Sequence, residues 1–364
     1  MKRLIAGMTA ALLAVILFFS VPSYGISAKS AILLDCTTGR VLYGKNTSQQ
    51  SLIASTTKIM TALIVCEQCN VLDRMRVPKE AVGIEGSSMY LQEGEVLTIQ
   101  ELLYGMMLHS GNDAAVALAI YCGGTVENFV ALMNDKARIL GLRNTHFENP
   151  NGLDGKAHYS TAEDLGALAD YAMSNPIFEK IVSTKTIKIG QRNLKNHNKL
   201  LWMLDGADGI KTGYTRAAGR ILVSSATRDC RRLVAVTINA PNDWQDHLQL
   251  FEEGFSQYKT STIVEKNDIL GVTEIAGGTC DAVTFIAKES FDYALRDDEI
   301  VEIILPAPGF VYAPVAFGQD AGYAQVYLGN QRIGFVPLIY GETIEQEIMQ
   351  EPSNWQRLFR RGRI

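Results

Sequence analysis

Hydrophobic positions along this chain change period twice. Near the N-terminus, Ala31-Ile32-Leu33-Leu34 and Val41-Leu42-Tyr43 flank a Cys-Thr-Thr-Gly turn, the pattern of a β-hairpin. From Ser55 to Cys69 the pattern becomes helical and apolar on nearly every face. Thr98 and Glu101 then form a capping box ahead of Leu102, Leu103, Met106 and Met107. A helix from about Asp113 to Cys122 stops at Gly123-Gly124. The next starts after Thr125, turns Phe129, Val130, Met133, Ala137 and Leu140 inward, and ends at Gly141. Ser160 with Glu163 predicts another cap, for a helix ending near Pro176. Beyond it the period falls to two. Ile210 to Tyr214, Arg220 to Thr227 and Arg232 to Asn239 read as strands, the last two joined by a turn around Asp229. Asp243 to Tyr258 is helical again.

Strands at both ends with helices between them make residues 26–258 an α+β unit, one antiparallel sheet with a helical cluster inserted. From 263 to 346 the chain turns to short strands punctuated by glycine, a small all-β domain. Within it Glu299-Ile300-Val301-Glu302-Ile303 alternates, and Gly329-Asn330 makes a hairpin turn between Gln325-Val326-Tyr327 and Ile333-Gly334-Phe335. A chain of 364 residues is long enough for two such cores.

The two ends carry addressing information. Lys2 and Arg3 precede an apolar run from Leu4 to Phe19, followed by Ser20, Pro22 and Gly25, so residues 1–25 read as a signal peptide. Cleavage after Gly25 puts Ser23 at −3; cleavage after Ala28 puts Ile26 there, and the sequence leaves both open. At the other end, over residues 350–364, Trp355, Leu358 and Phe359 share one helical face while Arg357, Arg360, Arg361 and Arg363 lie elsewhere. This predicts a basic amphipathic segment lying on an anionic membrane surface. The expected location is extracytoplasmic, peripheral on the outer face of the cytoplasmic membrane. A net charge of −5 gives no reason to expect a nucleic-acid partner. The five histidines are scattered without metal-ligand spacing, so neither metal nor cofactor is expected. Six cysteines in an exported chain allow up to three disulfides, but Cys66 and Cys69, inside an apolar helical run, read as structural thiols rather than a redox motif.

Three short motifs occur in chain order: Ser55-Thr56-Thr57-Lys58, Ser110-Gly111-Asn112 and Lys211-Thr212-Gly213. A Ser-x-x-Lys alone is weak, and Ser256 with Lys259 is a coincidental second copy. Ser55 and Lys58, three apart, fall on one helical face. A serine hydroxyl is inert until a base takes its proton, and a lysine serves once burial or a neighbouring cation such as Lys211 lowers its pKa. Lys58 is followed by Ile59, Met60, Ala62, Leu63, Ile64 and Val65, and a lysine committed to so buried a helix needs a reason. Lys211 and Thr212 on an edge-like strand suit a cation and a hydroxyl that hold a free carboxylate. Gly213, lacking a side chain, lets substrate backbone pair closely with that strand.

In order and context these motifs, with Phe147-x-Asn149-Pro150-x-Gly152-Leu153, resemble the low-molecular-weight penicillin-binding proteins, serine D-alanyl-D-alanine carboxypeptidases, along most of residues 30–258. The resemblance implies a β-lactamase/transpeptidase-like fold. It implies a Ser55 acyl-enzyme formed on peptidoglycan stem peptides, with β-lactam antibiotics as inhibitors. It further implies that Lys58 is the base, that Ser110 relays a proton to the leaving amine, and that Asn112 bonds the substrate peptide. Lys211 and Thr212 would then bind the terminal carboxylate, and the backbone N–H groups of Ser55 and Tyr214 would form the oxyanion hole. Other users of the same motifs are a D,D-endopeptidase, a β-lactamase and a catalytically inert wall-binding scaffold; the class A β-lactamase loop needs a Leu-Asn pair, which occurs nowhere here. The implied fold also lays the first hairpin strand beside the last strand of the sheet. From this Cys36 and Cys230 are expected to be close enough to touch, which leaves a disulfide between them open.

Overall fold

The computed structural model describes residues 25–305 and 310–348, so residues 1–24 of the expected signal peptide and the expected membrane-surface segment from 350 to 364 lie outside the described residues. The chain divides into two compact units between Gly254 and Phe255.

In the first unit five antiparallel strands form one sheet: β1 (Ser30–Asp35), β2 (Val41–Lys45), β3 (Ala207–Thr215), β4 (Gly219–Arg228) and β5 (Arg231–Ile238), in the order β2-β1-β5-β4-β3. Between β2 and β3 the chain lays down the helices α1 (Lys58–Gln68), α2 (Ile99–Leu108), α3 (Asn112–Gly123), α4 (Val126–Ile139), α5 (Ala162–Met173) and α6 (Pro176–Ser183). After β5 it closes with α7 (Asp243–Gln257).

The local signals explain most of these elements. Thr98 and Glu101 form the reciprocal capping box expected of them, and Thr125 caps α4 through the Asn128 N–H. The cap of α5 falls on Thr161 rather than Ser160. Ser160 is claimed elsewhere, its backbone paired with Ser51 and its hydroxyl with Thr145. In β4 and β5 the burial differs from simple alternation: Ile221 to Ala226 and Leu233 to Ile238 are buried on consecutive positions. Both sheet faces are covered. Gly166 of α5 sits against Ile32, while Gly254 of α7 sits against Leu33 and Leu233, and successive strand residues point to opposite faces. The buried His247 of α7 bridges Ser224 of β4 (2.5 Å) and Thr237 of β5 (2.9 Å), and burial keeps its imidazole neutral, pushed down to about 3.

Cys36 and Cys230 form no disulfide; both thiols are free. The strand prediction itself held, since β1 and β5 do pair antiparallel. Register decides the outcome. Leu34 lies opposite Val234, and the Cys36 N–H bonds to the Arg232 carbonyl, so Cys36 meets Arg232 while Cys230 is used in the two-residue turn before β5. Asp229 and Cys230 both have positive φ (48° and 62°), as a tight β-hairpin turn requires.

The second unit is all β. A six-stranded sheet runs Val301–Ile304, Asp320–Leu328, Gln331–Tyr340, Ala282–Ala287, Ile269–Ala276 and Val311–Tyr312, and Lys259–Val264 pairs separately with Phe291–Leu295. Gly329-Asn330 forms the predicted turn, joining Leu328 to Gln331. Val283, Phe285, Val326, Val336 and Leu338 make its core.

Candidate active site

The three motifs converge on one cleft of about 350 Å³, lined by Ser55, Ser110, Thr212, Gly213 and Tyr214 among others. A larger groove of about 1070 Å³ runs past Ser27, Asp246 and Glu252, with none of the motif residues in its walls.

Ser55 lies in a single 3-10 turn, Ala54–Thr57, directly before α1. Ala54 has a positive φ of 44°, and the turn is clamped from outside. A Cβ on Gly152 would stand 1.9 Å from the Ala54 carbonyl oxygen, and one on Gly213 would stand 3.3 Å from the Ser55 nitrogen. Gly152 also has φ +88°, so two physical reasons exclude a side chain there. Behind the turn, the Thr56 hydroxyl donates to the Ile53 carbonyl (2.6 Å) and Thr57 meets Nε2 of His158 (2.7 Å). Nδ1 of His158 accepts the Glu148 N–H, and burial pushes the imidazole down to about 4. Nε2 therefore carries the ring proton and donates to Thr57.

Lys58, at the first position of α1, is completely buried. Its ammonium donates to Ser55 Oγ (2.8 Å), Asn112 Oδ1 (2.6 Å) and the Asn151 carbonyl (2.6 Å). Burial lowers the Lys58 pKa well below the ordinary lysine range; the Lys211 charge lowers it further and the Asp113 carboxylate opposes. Burial and a second cation were the two causes expected from sequence, and both are present.

Ser110 occupies the turn between α2 and α3 with φ +64°. Its hydroxyl accepts from Lys211 Nζ (3.1 Å), which also donates to the Thr212 carbonyl (2.9 Å). Burial pushes Lys211 down to about 7. Asn112 is nearly buried, with its oxygen committed to Lys58 and an amide hydrogen to the Glu85 carbonyl (2.5 Å). Lys211, Thr212, Gly213 and Tyr214 lie on β3, the sheet's edge strand, whose other side pairs with β4. The Tyr214 ring is exposed.

Several contributors escaped the sequence reading. The Asn151 carbonyl takes one of the three Lys58 hydrogens, and the Pro150 carbonyl accepts from Thr61 (2.7 Å). The Phe147-to-Leu153 segment thus braces the first turn of α1, beside Ser55. Asp113, buried, accepts from the Met89 and Leu91 N–H groups (3.0 and 3.1 Å) and the Ser88 hydroxyl (2.6 Å), holding the loop that puts Ser87 on the cleft wall. Its place beside Asn112 was the available signal. His197, Lys199, Arg220 and Trp244 also line the cleft, and no local pattern singles them out.

Comparison with known proteins agrees with this geometry. Residues 19–242 match the family model described as D-alanyl-D-alanine carboxypeptidase, and residues 258–346 match that of the penicillin-binding protein 5 C-terminal domain. The chain is 33% identical to D-alanyl-D-alanine carboxypeptidase DacF of Bacillus subtilis over 311 residues, covering 81% of this chain and 80% of that one. It is 32% identical to DacC of Escherichia coli over 348 residues, 90% of this chain and 86% of that protein. Among solved structures, penicillin binding protein 5 of Haemophilus influenzae superposes with a TM-score of 0.78 at 28% identity, covering 90% of this chain and 100% of that one. A mutant of the Streptomyces K15 DD-transpeptidase gives 0.62 at 34% identity, over 64% of this chain and 99% of that one.

Proposed function

The chain belongs to the D-alanyl-D-alanine carboxypeptidase family of serine peptidases, and from that premise we propose how its residues divide the reaction. The enzyme hydrolyses the terminal D-alanine from peptidoglycan stem peptides and so acts on the cell wall. Residues 26–258 are its catalytic domain, and 263–346 are a separate β domain.

Ser55 Oγ attacks the penultimate D-alanine carbonyl while its proton passes to Lys58 Nζ. A neutral Lys58 has two hydrogens. It keeps Asn112 Oδ1 and the Asn151 carbonyl as acceptors, and its lone pair then faces Ser55, reversing that hydrogen bond. The developing oxyanion sits between the N–H groups of Ser55 and Tyr214, supplied by elements already held in place and needing no reorganisation. Collapse breaks the peptide C–N bond, and a proton reaches the leaving amine through the Ser110 hydroxyl. Lys211 and Thr212 hold the terminal carboxylate, which limits substrates to those with a free C-terminus. Asn112 orients the substrate's peptide through its second amide hydrogen. Water, deprotonated by Lys58, then cleaves the ester. A β-lactam acylates the same serine, but its leaving nitrogen stays tethered and the ester persists. The observation that carries this reading is the fully buried Lys58 bonded to Ser55.

The test is to incubate the purified protein with a fluorescent penicillin and follow the label. A label stable for minutes, with D-alanine released from a pentapeptide, is expected. Turnover of the label within seconds would favour a β-lactamase, and no label on folded protein an inert scaffold.

The export reading extends to the mature ends. Buried Asp246 accepts the Ser27 N–H (2.9 Å), the Ser27 hydroxyl (2.7 Å) and the Ala28 N–H (3.1 Å). Cleavage after Ala28 would leave that carboxylate buried without these donors, so the scissile bond is Gly25-Ile26. The basic segment from 350 to 364 then holds the enzyme peripherally on the membrane. Protein extracted from washed membranes is expected to begin at Ile26 and to be released by high salt. A mass beginning at Lys29, or a retained leader, would refute this.

A further inference from the structure

The helices α1 and α3 both begin in the active site, at Lys58 and at Asn112, and pack together. Their C-terminal ends therefore meet on the side away from the cleft. Cys69 is the extended residue closing α1 and Cys122 is the penultimate residue of α3. Their thiols are hydrogen-bonded to each other, and Cys122 Sγ also reaches Gln68 Oε1 at 3.7 Å. Both side chains are only partly covered, so a small oxidant can reach them. Neither thiol takes part in the chemistry above. Of the other four, Cys66 is buried within α1, Cys36 lies against Asp170, and Cys230 and Cys280 are exposed.

We propose that Cys69 and Cys122 are the site of a disulfide that staples the far ends of the two helices carrying the catalytic lysine and asparagine. The inference rests on the chain being exported, because disulfides persist in oxidising compartments. The oxidant is an external disulfide, either a thiol–disulfide oxidoreductase or an oxidised low-molecular-weight thiol. One cysteine thiolate attacks it, forming a mixed disulfide and expelling one thiolate; the second cysteine then attacks the mixed disulfide and expels the other. Two electrons leave the cysteine pair, and their two protons end on the two thiols released. Either cysteine can attack first, the thiol of the other donating a hydrogen bond to the attacking thiolate.

The cross-link encloses residues 70–121, which include α2, the loop fastened by Asp113 and the Ser110 turn. A closed loop of that length restricts the unfolded chain strongly, so oxidation is expected to raise Tm by about 10 °C. Penicillin acylation at 25 °C is expected to change less than twofold, since the ends already lie together in the reduced protein.

The experiment uses the purified full chain in buffers of oxidised and reduced glutathione, so that its result does not depend on the compartment. Alkylation of remaining thiols and non-reducing peptide mapping should identify a Cys69–Cys122 peptide lighter by two hydrogens, with the Tm rise lost in Cys122→Ser. Stoichiometric alkylation of both cysteines after oxidation, or a Cys66–Cys69 link in their place, would overturn the proposal. So would an equal oxidant-induced rise in Cys122→Ser. Mapping of protein taken directly from cells then separates failure of the pair from failure of the export reading: a link formed in vitro but absent from the cellular protein refutes only the latter.

Discussion

Replacing Ser55 by alanine is expected to abolish the covalent penicillin adduct and to lower kcat for D-alanine release by about six orders of magnitude. In the proposed reaction Oγ is the atom that forms the acyl bond, and no neighbouring hydroxyl can substitute. Thr56 and Thr57 are buried and already bonded, to the Ile53 carbonyl and to His158. Ser110 faces Lys211. The variant should fold, because Lys58 keeps two of its three acceptors, Asn112 and Asn151. It should also retain non-covalent binding of a substrate carboxylate, since Lys211 and Thr212 are untouched. Intact-protein mass after penicillin treatment reads the first effect and equilibrium dialysis the second. An adduct of penicillin mass on Ser55→Ala would mean that another residue is the nucleophile.

Lys58→Arg is expected to slow acylation by about three to four orders of magnitude while leaving the positive charge in place. A guanidinium does not lose its proton near neutrality, so it can hold Ser55 without activating it. The same argument sets the pH dependence. In the proposed reaction Lys58 is competent only when neutral, and its lowered pKa makes that form more available than in an ordinary lysine; activity falls as pH drops through the lowered pKa. Lys211 must be charged to hold a carboxylate, and burial has brought it to about 7. Above that value the free enzyme loses the charge. The expected profile of kcat/KM is therefore a bell whose falling limb lies near 7, its two limbs belonging to the coupled pair. Bound substrate places a carboxylate beside Lys211 and favours its ammonium, so the falling limb of kcat should lie at higher pH than that of kcat/KM. Stopped-flow acylation across pH 5 to 10 measures both. A Lys58→Arg enzyme of near-normal rate, or a falling limb at the same pH in the two profiles, would contradict this assignment.

What could be read from the chain was mostly what depends on near neighbours. The Thr98–Glu101 capping box, the Gly123-Gly124 stop and the Gly329-Asn330 turn are satisfied within a few residues, so their chemistry is written locally. The Ser55–Lys58 relation is of the same kind, because three residues of helix put two side chains on one face wherever the helix goes. The α5 cap was misplaced by one residue because Ser160 and Thr161 are both capable caps. Only the pairing of Ser160 with Ser51 and Thr145 settles which is free to serve. The strands β4 and β5 read as alternating although both their faces are covered, and the second cover, α7, is a contact no strand pattern announces.

By itself the sequence determined that Ser55 and Lys58 stand side by side, and that an antiparallel sheet with inserted helices is followed by a β domain. Those follow from spacing and period, which are properties of a short stretch of chain. Tertiary structure alone decided that Cys36 faces Arg232 and not Cys230, and that Cys122 lies against Cys69. It also decided that Asn151 holds Lys58, that Gly152 lies against the turn carrying Ser55, and that Lys58 and Lys211 share one buried site. Strand register, burial and the field of one charge on another arise between residues far apart in the chain, and only folding sets those distances.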